Sequence, residues 1–163
     1  MNDISDSNLR DEPQRLQESL GFLVNSLARL MRVALENKLQ NEKFSPTAWT
    51  VLMALGENDG LNQTDLSRRT YNDGATITRT LDQLAEINYI ERHRDDNDRR
   101  VQIVVLTESG RKAYMKAAQY GREINDEATS SLSPTERSRF EESIRKVIDR
   151  AQYFLNNEGI NGR

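Results

Sequence analysis

Between residues 92 and 100 the chain crowds Arg92, His93, Arg94, Arg99 and Arg100 around Asp95, Asp96 and Asp98. Guanidinium groups at this density suit phosphate and the narrow, strongly negative minor groove of duplex DNA. An aspartate among them can orient an arginine through a paired hydrogen bond. The same residues fit a self-neutralised, solvated cluster of ion pairs equally well. A second polar set precedes this one. On a helix over residues 75–87, a rotation of about 100° per residue places Asn72, Thr76, Arg79 and Gln83 opposite Ile77. There Arg79 has the donors to read guanine and Gln83 the amide to read adenine, while threonines can meet thymine methyls or phosphates. Gln63 and Thr64 open the short helix before it, where free N–H groups can hold a phosphate. Taken alone, the longer helix reads as an ordinary amphipathic helix with a solvated outer face. The arginine-rich segment that follows shifts the balance towards nucleic acid, because a hairpin tip rarely needs four arginines for solubility.

Other chemistry is thinly represented. Cysteine is absent and His93 is the only histidine, so disulfides, thiolate centres and multi-histidine metal sites are excluded within one chain. No nucleophile–base pair and no glycine-rich phosphate loop after a strand is present. The sequence therefore suggests no enzyme, no cofactor and no metal. His93 could meet a phosphate, but a strand residue without a chemical role is the plainer reading. No run approaches the roughly 20 apolar residues of a membrane span, and residues 1–12 are acidic and polar rather than signal-like. A cytoplasmic protein that does not contact membranes is expected. The net charge of -3 resides in residues 1–20, and the rest of the chain is balanced. A neutral body binds phosphate only if its arginines share a face.

These side chains need elements to hold them. Leu16, Leu20, Leu23, Leu27, Leu30 and Ala34 step by four and three, which predicts one helix over residues 13–41 with a heptad-like seam. Ser45-Pro46 opens a second helix, with Trp49, Leu52, Met53 and Leu55 turned inward. Gly56 and Asn58-Asp59-Gly60 are expected to end it. Asn62 caps a short helix that stops near Thr70. A turn through Asn72, Asp73 and Gly74 leads to the amphipathic helix, and Asn88 ends that helix in a left-handed conformation. Residues 89–94 and 101–106 read as the two strands of a hairpin. Thr107 caps a fifth helix to about Ser130. Ser133-Pro134-Thr135-Glu136 is a capping box that opens a sixth, on which Ile144, Val147, Ala151 and Phe154 recur at helical spacing.

Leu66, Thr70, Gly74, Thr78-Arg79, Leu81 and Leu84, then Ile90-Glu91-Arg92, then Asp98-Arg99-Arg100, five residues, and Leu106-Thr107-Glu108-Ser109-Gly110 resemble the MarR family of winged helix-turn-helix transcriptional regulators. The similarity covers roughly residues 16–155. It implies a mainly α fold with a small β wing, in which N- and C-terminal helices form a dimerisation region. The expected layout is a flexible acidic leader (1–12), a helical dimerisation region (13–42 and 108–156), a winged helix-turn-helix DNA-binding region (43–107) and a flexible tail (157–163). The function implied is that of a homodimeric, sequence-specific DNA-binding regulator on a pseudo-palindromic operator, a repressor released by a small ligand. By the family pattern Asp98 orients the wing tip, Arg100 with Arg99 reaches the minor groove, and Thr76, Thr78 and Arg79 meet bases and phosphates. The DNA-binding set is thus Gln63, Thr64, Gly74, Thr76, Thr78, Arg79, Gln83, Arg94, Asp98, Arg99 and Arg100. For a small aromatic or anionic effector the candidates are Arg29, Arg32 and Trp49, although a core tryptophan and solvated or interface arginines are the commoner roles. Asn88 stands where the family usually has glycine, and the cysteine of the peroxide-sensing branch is missing. The alternative to DNA binding is a winged helix reused as a protein-interaction module.

Overall fold

The computed structural model describes residues 15–95 and 99–157. The chain divides into two compact units that meet between Gly121 and Arg122. The leader, the wing-tip residues 96–98 and, apart from Asn157, the tail lie outside the described residues.

The first helix is shorter than its leucine pattern suggests. A single 3-10 turn spans Leu16–Glu18, Ser19 is extended, and α1 runs over Leu20–Leu39. Ser19 stands at the N-cap of α1 in an extended conformation, without a side-chain hydrogen bond to the helix, and the helix restarts after it. Of the stripe, Leu20, Leu23 and Leu30 are exposed within the chain, whereas Leu35 and Leu39, which lie off it, are buried. The second helix, α2 (Pro46–Glu57), is capped as expected, with Ser45 Oγ accepting from the Ala48 N–H. Gly56 does not end it. It lies inside the last turn, where a Cβ would come within 2.2 Å of the Tyr114 ring. Close helix packing, rather than a left-handed stop, explains this glycine.

A two-residue strand that the sequence pattern did not reveal, β1 (Leu61–Asn62), precedes α3 (Gln63–Thr70). Helix α4 covers Gly74–Glu86, and Asn88 follows at φ 57°. The hairpin strands are β2 (Ile90–Arg94) and β3 (Gln102–Leu106). The sheet order is β1-β3-β2, all antiparallel, with Ile90 opposite Leu106 and Arg94 opposite Gln102. Two residues were too few to show an alternation, so only the pairing of Leu61 with Val104 defines β1. The core beneath the sheet and helices contains Val51, Leu52, Leu55, Leu66, Ile77 and Leu84, all less than 2% exposed.

Helix α5 spans Glu108–Ala128. Thr107 N–H donates to Tyr89 O, and the Thr107 hydroxyl donates to Asn88 O while accepting from the Gly110 N–H. The first turn of α5 therefore descends onto the Tyr89 carbonyl. A Cβ on Gly110 would sit 1.9 Å from that oxygen. This explains physically why a threonine at the cap is followed three residues later by glycine. Up to Gly121, α5 packs on α2 reciprocally. Tyr114 of α5 fills the space over Gly56, and Trp49 of α2 lies over Gly121.

The second unit holds the end of α5 and α6 (Pro134–Asn157). Ser133 and Glu136 form the reciprocal capping box, and Arg137 pairs with Asp126 at 2.7 Å and Glu141 at 3.1 Å. Val147, Ile148, Phe154 and Leu155 of α6 are exposed.

Candidate nucleic-acid interface

The pair α3 and α4 is joined by a turn closed by local hydrogen bonds. Asn72 N–H donates to Ser67 O, the Ser67 hydroxyl donates to Asn72 O, and Asn72 Nδ2 donates to Thr70 O at 2.9 Å. Asp73 caps α4, accepting from Thr76 N–H and from the Thr76 hydroxyl. Those bonds, the hydroxyl's first and then the backbone's, hold the Asp73 carboxyl below the ordinary aspartate range. The positive end of the α4 dipole thus already faces a carboxylate from its own chain.

The outward face of α4 differs in content from the expected stripe. Asn72 and Thr76 are half-buried, whereas Thr78, Arg79, Asp82, Gln83 and Glu86 are exposed. Steps of three and four through 72, 76, 79 and 83 follow only one edge of a wide exposed arc. Glu86 lies nine residues from Ile77, directly opposite it at about 100° per residue, and Asp82 lies nearby. Two acids therefore share this face. Asp82 is bound by Arg92 of β2, whose Nη2 donates to Asp82 Oδ1.

Several expected contact residues are hydrogen-bonded within the unit. Gln63 Nε2 donates to Gly74 O at 3.0 Å and to Thr78 Oγ1 at 2.8 Å, tying the start of α3 to that of α4. The Thr78 hydroxyl donates to Gly74 O, and the Thr76 hydroxyl to Asp73. Both amide protons of Gln63 are engaged, so it reaches a phosphate only by releasing one of them. In contrast the side chains of Thr64, Arg79, Gln83, Arg94 and Arg99 make no hydrogen bond or ion pair among the described residues. Arg100 lies at the exposed base of the wing tip, and Asp98 lies outside the described residues.

Strand alternation places Ile90, Arg92 and Arg94 on one face of β2 and Glu91 and His93 on the other. Ile90 is buried, Arg92 reaches α4, and Arg94 extends the same row. His93 faces Glu91 at 3.3 Å, both exposed. The Arg92–Asp82 contact was not readable from sequence, because a pair ten residues apart across a helix–strand corner leaves no periodic signal.

The ligand candidates fall in different settings. Trp49 is half-buried and its indole N–H donates to Ala117 O at 2.8 Å. Arg29 and Arg32 are exposed. A cavity of about 450 Å³ lies elsewhere in the first unit, between residues 42–48 and the C-terminal half of α4, with Phe44, Ala48, Leu84 and Ile87 as apolar lining and Glu42, Gln83 and Glu86 among its polar groups. Glu42 is tied to α5 by Tyr120, whose O–H donates at 2.7 Å, and by Lys116. Burial pushes the Glu42 carboxyl up, but these two partners outweigh it and leave the group below its usual range. Among the described residues no cluster of three or more histidine, aspartate and glutamate side chains could hold a metal.

Two helices joined by a tight turn, the second flanked by an antiparallel hairpin with arginines on its first strand and in the turn before its second, define a winged helix-turn-helix. The MarR family model matches residues 44–101. The transcriptional repressor MprA of Escherichia coli is 31% identical over 121 residues, covering 71% of this chain and 69% of MprA. The regulator TtmR of Methylorubrum extorquens is 31% identical over 102 residues, 63% of this chain but only 52% of TtmR, so the chain spans about half the length of that relative. The PcaV regulator of Streptomyces coelicolor, solved in complex with its natural ligand, superposes with a TM-score of 0.74 at 25% identity, covering 86% of this chain and 99% of PcaV. The chain belongs to the MarR family of transcriptional regulators.

Proposed function

We propose that the chain acts as a homodimeric DNA-binding repressor that occupies a pseudo-palindromic operator and is released by a small aromatic or anionic ligand. The observation that carries the DNA-binding role is the Arg92–Asp82 contact. It sets the wing strand alongside α4, so that Arg94 continues a row of cations beside the helix carrying Arg79 and Gln83. A recognition helix in the major groove then leaves the wing arginines to the neighbouring phosphates and minor groove. Arg79 and Gln83 read bases, Arg94, Arg99 and Arg100 hold the backbone and minor groove, and Asp98 orients the wing tip. Thr64 contacts a phosphate, while Gln63, Gly74, Thr76 and Thr78 set the position of α4.

The regions follow the same logic. Residues 43–107 bind DNA, and residues 13–42 and 108–156 dimerise. Leu20, Leu23 and Leu30 on α1, and separately Val147, Ile148 and Phe154 on α6, are apolar side chains exposed within one chain. Such surface is suited to burial against a second copy. Release by ligand accords with MprA being a repressor and with PcaV having a natural ligand. The cavity beside Gln83 offers one place where a ligand would touch α4 directly, and Arg29, Arg32 and Trp49 remain a second candidate set. The protein acts by occupancy and not by catalysis. The proposed role on DNA implies a cytoplasmic location. No helix among the described residues is long and apolar enough to cross a membrane.

Selection of bound duplexes from a random pool tests this reading. The expected result is an enriched pseudo-palindrome with half-sites about one helical turn apart. A pool that returns no enriched sequence, with no retention of any duplex at moderate salt, would replace the reading with that of a protein-interaction module.

A further inference from the structure

Asp59 stands in the turn between α2 and β1, and its two carboxylate oxygens serve two other elements. Its Oδ1 accepts from the Leu106 N–H at 3.0 Å, and its Oδ2 accepts from Arg111 Nη2. Leu106 is the last residue of β3, and Arg111 lies in the first turn of α5. All three belong to the first unit. The bond to Leu106 continues the sheet. Gly60 N–H donates to Val104 O, and Leu61 pairs with Val104. Alternate residues of a strand turn their N–H and C=O to the same edge, so Leu106 N–H points to the β1 edge as Val104 O does. There β1 has already ended, and the Asp59 side chain supplies the next rung.

An asparagine oxygen would accept from that N–H as well. The charge is needed only for Arg111. The Arg111 and Asp59 side chains are 60% and 31% exposed, so solvent screens the pair and its contribution to stability is small. What the carboxylate adds is a link. One side chain holds the base of the wing at Leu106 and the start of α5 together. The other strand of the hairpin is held to α4 by Arg92 and Asp82. These two fastenings set where the hairpin stands, and with it Arg94 of β2 and Arg99 and Arg100 in the turn before β3. We infer that Asp59 is a positioning residue for DNA binding, which fixes the wing to the first turn of α5 and so sets the reach of the wing arginines to phosphate. This inference rests on the DNA-binding reading above.

The test compares full-length wild type, Asp59→Asn, which keeps an acceptor for Leu106 and loses the charge, and Arg111→Gln. Each is measured by thermal unfolding and by mobility shift, over a range of salt, on a duplex recovered by selection. Both variants are expected to melt within about 2 °C of wild type. Both should bind about fivefold more weakly, with a shallower salt slope. The sign for Asp59→Asn is diagnostic. Electrostatics alone would tighten binding when a negative charge is removed, and a purely structural role would leave the affinity of the folded protein unchanged. Asp59→Asn is also made in a background with Arg94, Arg99 and Arg100 replaced by alanine, at salt low enough for that background to bind. There it should cost less than about twofold, because its effect passes through those arginines. Unchanged or tighter binding by Asp59→Asn overturns the inference. So does a loss of about fivefold that persists in the alanine background. A melting temperature lower by about 5 °C or more would make Asp59 a strut of the fold and overturn it too. A wild type that retains no DNA would instead sink the underlying DNA-binding reading.

Discussion

On the α2–α5 side of the first unit, helices meet through missing side chains. Gly56 admits Tyr114, Gly121 admits Trp49, and Gly110 admits the Tyr89 carbonyl. On the α4–wing side, Thr78, Arg79, Asp82, Gln83, Glu86 and Arg94 are all exposed. The first surface is fitted to a partner already in place. The second has arginines at Arg79, Arg94 and Arg99 without ion-pair partners among the described residues, beside a helix whose hydroxyls are bonded internally. Polar density alone does not distinguish struts from readers. What separates them is whether the side chain's hydrogen-bonding capacity is satisfied within the chain.

Substitutions on the two sides should separate stability from binding. The largest effect belongs to the closed side. Gly110→Ala forces a methyl onto a carbonyl and should lower unfolding free energy by about 3 kcal/mol, read by urea denaturation. A change within experimental error would mean that α5 approaches Tyr89 less closely than described.

On the open side Arg79→Ala should leave the melting temperature in place and weaken the selected site by about 2 kcal/mol. Random duplex should be much less affected. Arg94→Ala should cost about 1 kcal/mol on every sequence and reduce the salt slope by about 1. Equal losses on specific and random DNA for both variants would erase the division between base reading and backbone holding.

The Arg92–Asp82 pair lies between these cases. Its members are 30% and 52% exposed, so solvent screens it. A double-mutant cycle with Arg92→Ala and Asp82→Ala should return a coupling of about 0.5 kcal/mol in stability. In DNA binding, Arg92→Ala alone should be worse than the double variant, because it leaves Asp82 uncompensated beside phosphate. Full additivity in both measurements would remove the pair as the link between wing and helix.

The smallest effect concerns pH at Asp73. Its folded-state pKa is depressed, first by the Thr76 hydroxyl and then by the Thr76 N–H. A depressed carboxylate contributes stability above its unfolded pKa and loses it as pH falls through the folded value. Amide exchange in the first turn of α4 should therefore accelerate only on acidification below the ordinary aspartate range. Asp73→Asn, which still caps, should flatten that dependence.

Much of this molecule is written locally. The caps at Ser45, Asn62 and Thr107, the Ser133–Glu136 box, the left-handed Asn88 and the alternation of Val104 and Leu106 follow from side chains and backbone within a few residues of each other. Such features survive being read one window at a time, and they carried the order of helices and hairpin and the family resemblance. Features that depend on distant contacts were read differently or not at all. Gly56 looked like a stop until Tyr114 was seen above it, and β1 exists only because β3 runs beside it. Ser19 divides a leucine stripe that periodicity alone would continue.

The arginine-rich hairpin and the amphipathic helix were both legible, and each alone remained ambiguous. Sequence determined that four arginines would cluster on a short ribbon after a polar-faced helix. Only tertiary structure decided which of them faces that helix. Arg92 is held by Asp82, Arg94 continues its row, and His93 lies on the other face of the strand. The reason is geometric. Strand alternation assigns residues to two faces, but which face meets α4 depends on how Ile90 enters the core, and that is settled by packing.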